Sequence, residues 1–597
     1  MTRRMGGLVG LCLALLVAGT SATNAQEGQA EALQTLFADQ QQDLLRLNPT
    51  IALYRGDRRY LGRFGDTVSQ AYVDEVRRLN ASYGERLAAI DRAALSAADR
   101  LSYDVFAFRL EQQAAAIAVD ADVVASYLYV QHLNAHYDFF AQLQSGGSAA
   151  PFRTVEDYEA GLERAEDFAR VTDLAIARMT EGMANGYVHP RIVVERVIAG
   201  LMRFLATPVE DSLFYRPIRE LPDALASERD RLDAAYRASI EQVIMPAYRR
   251  LLGFMAERYL PQARDTVGYS ALPDGAALYA QAARSYTTTG LSPKKIHELG
   301  LAEVARIKAE MEAIRTQVGF NGDLAGFIDM LRTDPRFYYD TAEAYLADYD
   351  AIRKRVDPQL GRLFGRLPAA PYEIKPFDPE VAPAQTTARY APGTPDGSRP
   401  GIFYVNTYDL PSRPKYSMEV LLVHEAVPGH HLQIAIAQEL NGLPDFRRFG
   451  RTTAFVEGWA LYSERLGEDL GLYQDPYSAF GMLSFDMWRA CRLVVDTGLH
   501  AFGWSRQQAI DYLLSHTALG ETDAAVEVDR YIVWPGQALA YKVGQLKILE
   551  LRARAEAALG DAFDIRAFHD ELLADGALPL AILEAKMDRW IADQRAG

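Results

Sequence analysis

Cysteine is nearly absent from this chain, with two in 597 residues. Cys12 falls in an apolar stretch at the extreme N-terminus, so a processed chain keeps only Cys491 and has no internal disulfide. A chain of this length buries enough surface to fold without staples, and Cys491 reads as a small buried hydrophobe. Basic runs are missing too. With 63 Lys and Arg against 79 Asp and Glu, the net charge is −16. No cluster forms the basic stripe that phosphate binding requires, which argues against nucleic acid as a partner. Beyond the N-terminal segment no run approaches the roughly 20 apolar residues of a spanning helix, so no stable membrane association is expected. Internal repeats and low-complexity tracts are also lacking.

At the N-terminus Arg3 and Arg4 precede an apolar run from Gly6 to Ala18 and a small, polar stretch ending Thr23-Asn24-Ala25. This is the pattern of a cleaved export signal over residues 1–25. Gly10-Leu11 before Cys12 does not form a lipid-attachment box. The expected product is a soluble, more acidic chain starting near Gln26 in the periplasm or outside the cell.

Two regions follow, 26–370 and 371–597. The first has helical periodicity, as at Ser292 to Val318, where Ser292-Pro293 opens an amphipathic stretch and Gly319 closes it. Tyr72 to Ala94 and Thr341 to Val356 read the same way, which predicts antiparallel helices with short connections. Between Pro371 and Pro414 the texture turns to Pro, Gly, Asp and Ser. Two strand-like runs there, Tyr372 to Lys375 and Ile402 to Val405, predict a small sheet or hairpin ahead of an active-site helix. Helical patterning resumes at Ser417, so the fold class is mainly α.

The chain has ten histidines, and three of them lie in His424-Glu425-Ala426-Val427-Pro428-Gly429-His430-His431. A catalytic zinc site needs three protein ligands of His and Glu type, an open position for water, and a carboxylate to take that water's proton. The helical His-Glu-x-x-His solution sets both histidines on one face, but here position i+4 is Pro428. In an unbroken helix His430 would lie about 240° round from His424, and His431 roughly 10 Å farther along. Neither would share a metal with His424, so a break at Pro428-Gly429 is predicted. His430, directly after the glycine, is the preferred second ligand, with His431 as the alternative. Glu457 sits among apolar residues in Phe455 to Glu464, where a carboxylate needs a cation or a strong hydrogen-bond partner. It is the candidate third ligand. Glu464, two turns on, is placed to orient a ligand from behind.

An oxyanion formed during hydrolysis needs donors besides a metal. Arg492, Asp496 and His500 recur at i, i+4 and i+8 on one helical face, which suits a cleft wall. Farther on, Arg530-Tyr531 and Pro535-Gly536-Gln537-Ala538-Leu539-Ala540-Tyr541 offer hydroxyl donors. Tyr541 is the first candidate, with Tyr531, His500 and Arg530 behind it.

At these residues the chain resembles the bacterial domain-of-unknown-function 885 family, whose hallmark is His-Glu-Ala-x-Pro-Gly-His-His. Arg399 to Asn406, Glu457-Gly458-Trp459-Ala460 and Pro535 to Ala538 are similar to that family as well. Membership there implies a gluzincin-type zinc metallopeptidase, with His424, His430 and Glu457 as ligands and Glu425 as base. It also implies a zincin-like helical shell around a deep cleft that admits short peptides. Phe455-Val456-Glu457 and Ala540-Tyr541 resemble segments of thimet-type oligopeptidases, from which the two-residue insertion before His430 departs.

The expected activity is zinc-dependent hydrolysis of short peptides, with Ile402 to Asn406 pairing to the substrate backbone as an added strand. Two other activities fit the same residues: hydrolysis of a non-peptide amide or ester, and a binding protein that keeps the fold without turnover. An intact Glu425 favours catalysis, since binding alone does not need it.

Overall fold

A computed structural model describes residues 7–133, 135–379, 382, 386–395, 397 and 399–596, with side chains from residue 27 onward. The export signal therefore lies outside the residues whose side chains are described. The chain is mainly helical with a small sheet, and it divides into two compact units, Met1–Asp265 and Thr266–Gly597. Among the described residues no helix is long and apolar enough to cross a membrane.

In the N-terminal unit the helix Val155–Ala184 starts on a reciprocal capping box between Thr154 and Asp157, which satisfies two otherwise orphaned donors. Its buried face joins an aromatic core that includes Phe64, Phe140, Phe168 and Tyr248. Phe140 and Phe168 stack with centroids 3.9 Å apart.

In the C-terminal unit the helices that frame the site are α1 (Gly275–Thr287), α2 (Pro293–Gln317), α3 (Met418–Glu425), α4 (His430–Gln438), α5 (Thr453–Asp469), α6 (Pro476–Ala501), α7 (Glu521–Val533) and α8 (Leu539–Leu559). The expected helix at 292–318 is α2, with Ser292 as its N-cap accepting from Lys295 N and Gly319 beyond its end at a positive φ of 72°. Thr341 likewise caps Ala342–Val356. Buried residues fall on every face of α6, as in a central helix, and α2 packs along it. That packing carries residues 266–370 into the C-terminal unit, so the divide lies at 265/266 and not at the change of texture near 370.

The sheet has the order β1-β3-β2, formed by Tyr372–Pro376 (β1), Ala388–Ala391 (β2) and Gly401–Val405 (β3). β1 runs parallel to β3 with Ile374 opposite Phe403, and β2 runs antiparallel with Tyr390 opposite Phe403. Both predicted strands are present, but β3 is central. Its two edges are taken, and Asn406 N–H donates to the Thr387 carbonyl, so Ile402 to Asn406 has no edge for a further strand. Among the described residues the edge strand near the histidines is β2.

Candidate metal centre

The interruption predicted between His424 and His430 is present. α3 ends at Glu425 and α4 begins at His430, with Ala426 (φ −100°, ψ −106°) and Gly429 (φ −74°, ψ −128°) both outside helical geometry. Glycine is required at 429 by close approach, since a Cβ there would lie 2.0 Å from the His424 carbonyl oxygen. The turn is tied down from α5, where the buried Trp459 donates its indole N–H to the Pro428 carbonyl at 2.8 Å.

The turn swings His430 back towards His424, and the two rings meet edge to face at 4.9 Å. Glu457 completes the group: its Oε2 is 3.4 Å from His430 Nε2 and 4.0 Å from His424 Nε2. The three candidate ligand atoms all lie within 4.8 Å of one another. Ligand atoms about 2.0–2.1 Å from one tetrahedral ion stand roughly 3.3 Å apart, so this nearly closed triangle of two imidazoles and a carboxylate fits a zinc-type cation with small adjustments. His431 is turned away. Its Nδ1 pairs with the Tyr390 hydroxyl at 2.9 Å and its Nε2 with the Ala370 carbonyl at 3.1 Å, which leaves neither nitrogen for a metal.

Behind the triangle, Glu464 Oε1 is 2.8 Å from His424 Nδ1. When Glu464 is ionised and accepts the Nδ1 proton, the Nε2 lone pair faces Glu457 and His430, the tautomer a metal ligand requires. Burial, with His430, Arg489 and Arg492 nearby, holds the His424 imidazole well below its usual range. Burial likewise pushes the Glu464 carboxyl up to about 8. Burial also pushes Glu457 upward, but His430, Arg530 and Arg492 outweigh it and the carboxyl sits below its ordinary value. Burial lowers His430, but Glu457 and Glu425 outweigh it and its imidazole sits above its ordinary value; His424 is thus in the neutral form and Glu457 in the ionised form in which these side chains bind metal.

Glu425, the last residue of α3, is half-buried, and its Oε2 accepts the Tyr390 N–H of β2 at 2.8 Å. Burial raises this carboxyl, partly offset by His430. These groups share a cavity of about 390 Å³ with β2, α6, α7 and Tyr541 of α8. α5 and α8, which carry Glu457 and Tyr541, cross where a Cβ on Gly458 would meet Gly544 Cα at 2.5 Å. Two adjacent glycines thus let the helices approach closely enough for both side chains to reach one cavity.

Tyr541 lines the cavity, and its hydroxyl accepts from Arg530 Nη2 at 3.1 Å. Arg530 also donates to Gln537 and lines the cavity, so it reaches the site as the partner of Tyr541. The other two donor candidates are elsewhere. His500 is fully buried, with Nδ1 accepting the Tyr269 N–H and Nε2 facing the Tyr531 carbonyl at 2.9 Å. The Tyr531 hydroxyl accepts from Arg492 Nε at 3.1 Å and from Trp488 Nε1 at 3.3 Å. It is a strut beneath the cavity wall. The line Arg492, Asp496, His500 reaches the cavity only at Arg492; Asp496 accepts from the Tyr279 hydroxyl and Gly536 N–H in the core.

Sequence reasoning missed Tyr390, Trp488, Arg489 and Glu527, all of which line the cavity. The signal for Arg489 was available: it lies i+3 before Arg492, beside Phe485 and Trp488 on the same helical face. Tyr390 carried no local signal, because it reaches Glu425 through the pairing of β2 with β3.

The profile of the family described as "Bacterial protein of unknown function (DUF885)" matches residues 49–587. Among solved structures, the chain is similar to the "putative lipoprotein" from Colwellia psychrerythraea, at 30% identity and a TM-score of 0.86, covering 95% of this chain and 99% of that one. It is also similar in fold to a "putative lipoprotein of unknown function" from Shewanella oneidensis, at 19% identity and a TM-score of 0.70, covering 93% and 98% respectively. A search of curated proteins gives no match. With most of its length matched by the profile, the chain belongs to the DUF885 family of bacterial proteins.

Proposed function

We propose that this protein is an exported gluzincin-like zinc metallopeptidase, a helical shell around a cleft that hydrolyses short peptides. The reading is carried by the convergence of His424, His430 and Glu457 within 4.8 Å on a cavity that also holds Glu425 and Tyr541. Export is supported by the N-terminal signal pattern and by the description of the Colwellia relative as a "putative lipoprotein".

When bound by the three ligands, zinc supplies Lewis acidity, lowering the pKa of water and polarising a carbonyl. Glu425, held by Tyr390 N–H, takes the proton of the attacking water and returns it to the leaving amine. Its upward shift through burial makes it a stronger base than an exposed carboxylate. Tyr541, its hydroxyl oriented by Arg530, donates to the oxyanion. Glu464 keeps His424 in the ligating tautomer. The outer edge of β2 at Ala388, in the cavity wall, takes the substrate backbone as an added strand while Tyr390 N–H stays with Glu425, and so replaces the edge expected of β3.

A library of short peptides, assayed beside simple esters and aryl amides, tests this reading. Hydrolysis that depends on the residues flanking the scissile bond, stops with a chelator and returns with zinc is the expected result. Turnover confined to the esters or aryl amides would replace peptides as substrates, and no zinc-dependent turnover of any compound would contradict catalysis.

A further inference from the structure

The cavity is cationic in an acidic protein. Its lining holds Arg389, Arg451, Arg489, Arg492 and Arg530 against Glu425, Glu457 and Glu527, although the chain's net charge is −16. Arg492 and Arg530 share one carboxylate partner. Glu527 accepts from both Arg492 and Arg530, and Arg530 also holds Gln537 and Tyr541.

Arg489 is different. It is 5% exposed, and among the described residues its carboxylate contact is Glu464 Oε1 at 3.9 Å and its Nε and Nη1 have no hydrogen-bond partner. Arg492, one turn along and 3% exposed, leaves its Nη1 unpartnered as well. Three buried guanidinium nitrogens without acceptors among the described residues are costly unless a ligand supplies the oxygens. The two groups are also held in place: Trp488 lies 4.5 Å from the Arg489 guanidinium carbon and 4.6 Å from that of Arg492. Phe485 packs against Arg489 at 4.6 Å and Tyr541 against Arg492 at 4.3 Å. Stacking fixes the planes of both groups and leaves Arg489 Nε and Nη1 and Arg492 Nη1 without acceptors among the described residues, donors of the kind with which guanidinium binds a planar oxyanion.

We infer that Arg489 and Arg492 form a subsite for the C-terminal carboxylate of the substrate, so that the enzyme removes residues from the C-terminal end of peptides. This rests on the peptidase reading above. Arg489 lies against the Glu464 carboxylate that backs His424, close beside the metal triangle. Successive Cα atoms are 3.8 Å apart, so a carboxylate this near the scissile bond belongs to a residue one or two positions beyond it. A cavity of about 390 Å³ suits such a short end, being at the small end of ligand sites.

The test uses Glu425→Gln protein, in which substrate binds without turnover. Calorimetry compares acetyl-Ala-Ala-Ala as free acid and as C-terminal amide, together with an amidated peptide bearing an internal glutamate; zinc is measured in every sample. The free acid is expected to bind at least tenfold more tightly than the amide. Adding Arg489→Gln or Arg492→Gln should narrow that ratio towards one while zinc content stays unchanged. Equal binding of acid and amide overturns the inference, as does a ratio that survives both substitutions. Equally tight binding of the amidated glutamate peptide assigns the subsite to a side chain and overturns the C-terminal assignment. If an arginine variant fails to fold, the acid-to-amide comparison on the parent protein still decides. Absence of zinc counts against the metal reading alone, because the same ratio, measured without metal, still reports on the arginines.

Discussion

Glu425→Gln is expected to leave zinc binding intact and to lower peptide turnover by about 10²- to 10⁴-fold, the range that a positioned general base contributes. The substitution preserves shape and a hydrogen-bond acceptor for Tyr390 N–H, whose 2.8 Å contact fixes the carboxylate at the end of α3. What it removes is the capacity to take a proton. Glu425 is not among the three residues whose ligand atoms converge, so metal content should not follow activity. The effect should fall on kcat, because a proton in transit matters in the transition state and not in ground-state binding. Retained turnover in this variant would remove Glu425 from the role of base.

Lys542→Met is expected to destabilise the protein by about 3–5 kcal/mol, the cost of leaving a buried ion-pair partner uncompensated. Lys542 is fully buried beside Tyr541 and contacts Asp486 at 2.6 Å and Glu303 at 3.0 Å. Asp486 also meets Arg306 at 3.1 Å and Arg465 at 3.0 Å. One buried cluster therefore links α2, α5, α6 and α8, the helices that carry Glu457, Arg489 and Tyr541. Burial pushes the Asp486 carboxyl up, yet Lys542, Arg465 and Arg306 hold it well below the usual carboxylate range. A carboxyl lowered in the folded state contributes stability that is complete above its ordinary pKa and is lost as pH falls towards the lowered value. Denaturant melts across acidic pH should thus show a shallower acid decline in Asp486→Asn than in the unaltered protein. A loss below about 1 kcal/mol in Lys542→Met, the level of a surface pair, would show that the cluster does not brace the site.

Much of this arrangement was legible where chemistry is local. Ser292 and Thr341 announce their helices because a hydroxyl cap satisfies donors a few residues away. Pro428 and Gly429 announce the break because their backbone limits act in place. Glu457 was legible because a carboxylate in an apolar helix demands a partner. Where long-range pairing decides, the sequence was silent. β2 is four residues long with no apolar alternation, and it exists because β3 pairs with it; its Tyr390 in turn orients Glu425. His500 shared a helical face with Arg492, but α6 passes from the cavity wall into the core within two turns, so a common face did not mean a common environment. His430 and His431 are neighbours in sequence, and only the direction of the turn brings one to His424 and Glu457 and the other to Tyr390.

The central claim is most directly tested by elemental analysis of the purified protein beside His424→Ala and Glu457→Ala variants. The account predicts one zinc per chain in the unaltered protein and loss of that zinc in both variants. Equal zinc in all three proteins, or none in the unaltered protein when metal is supplied, would contradict it.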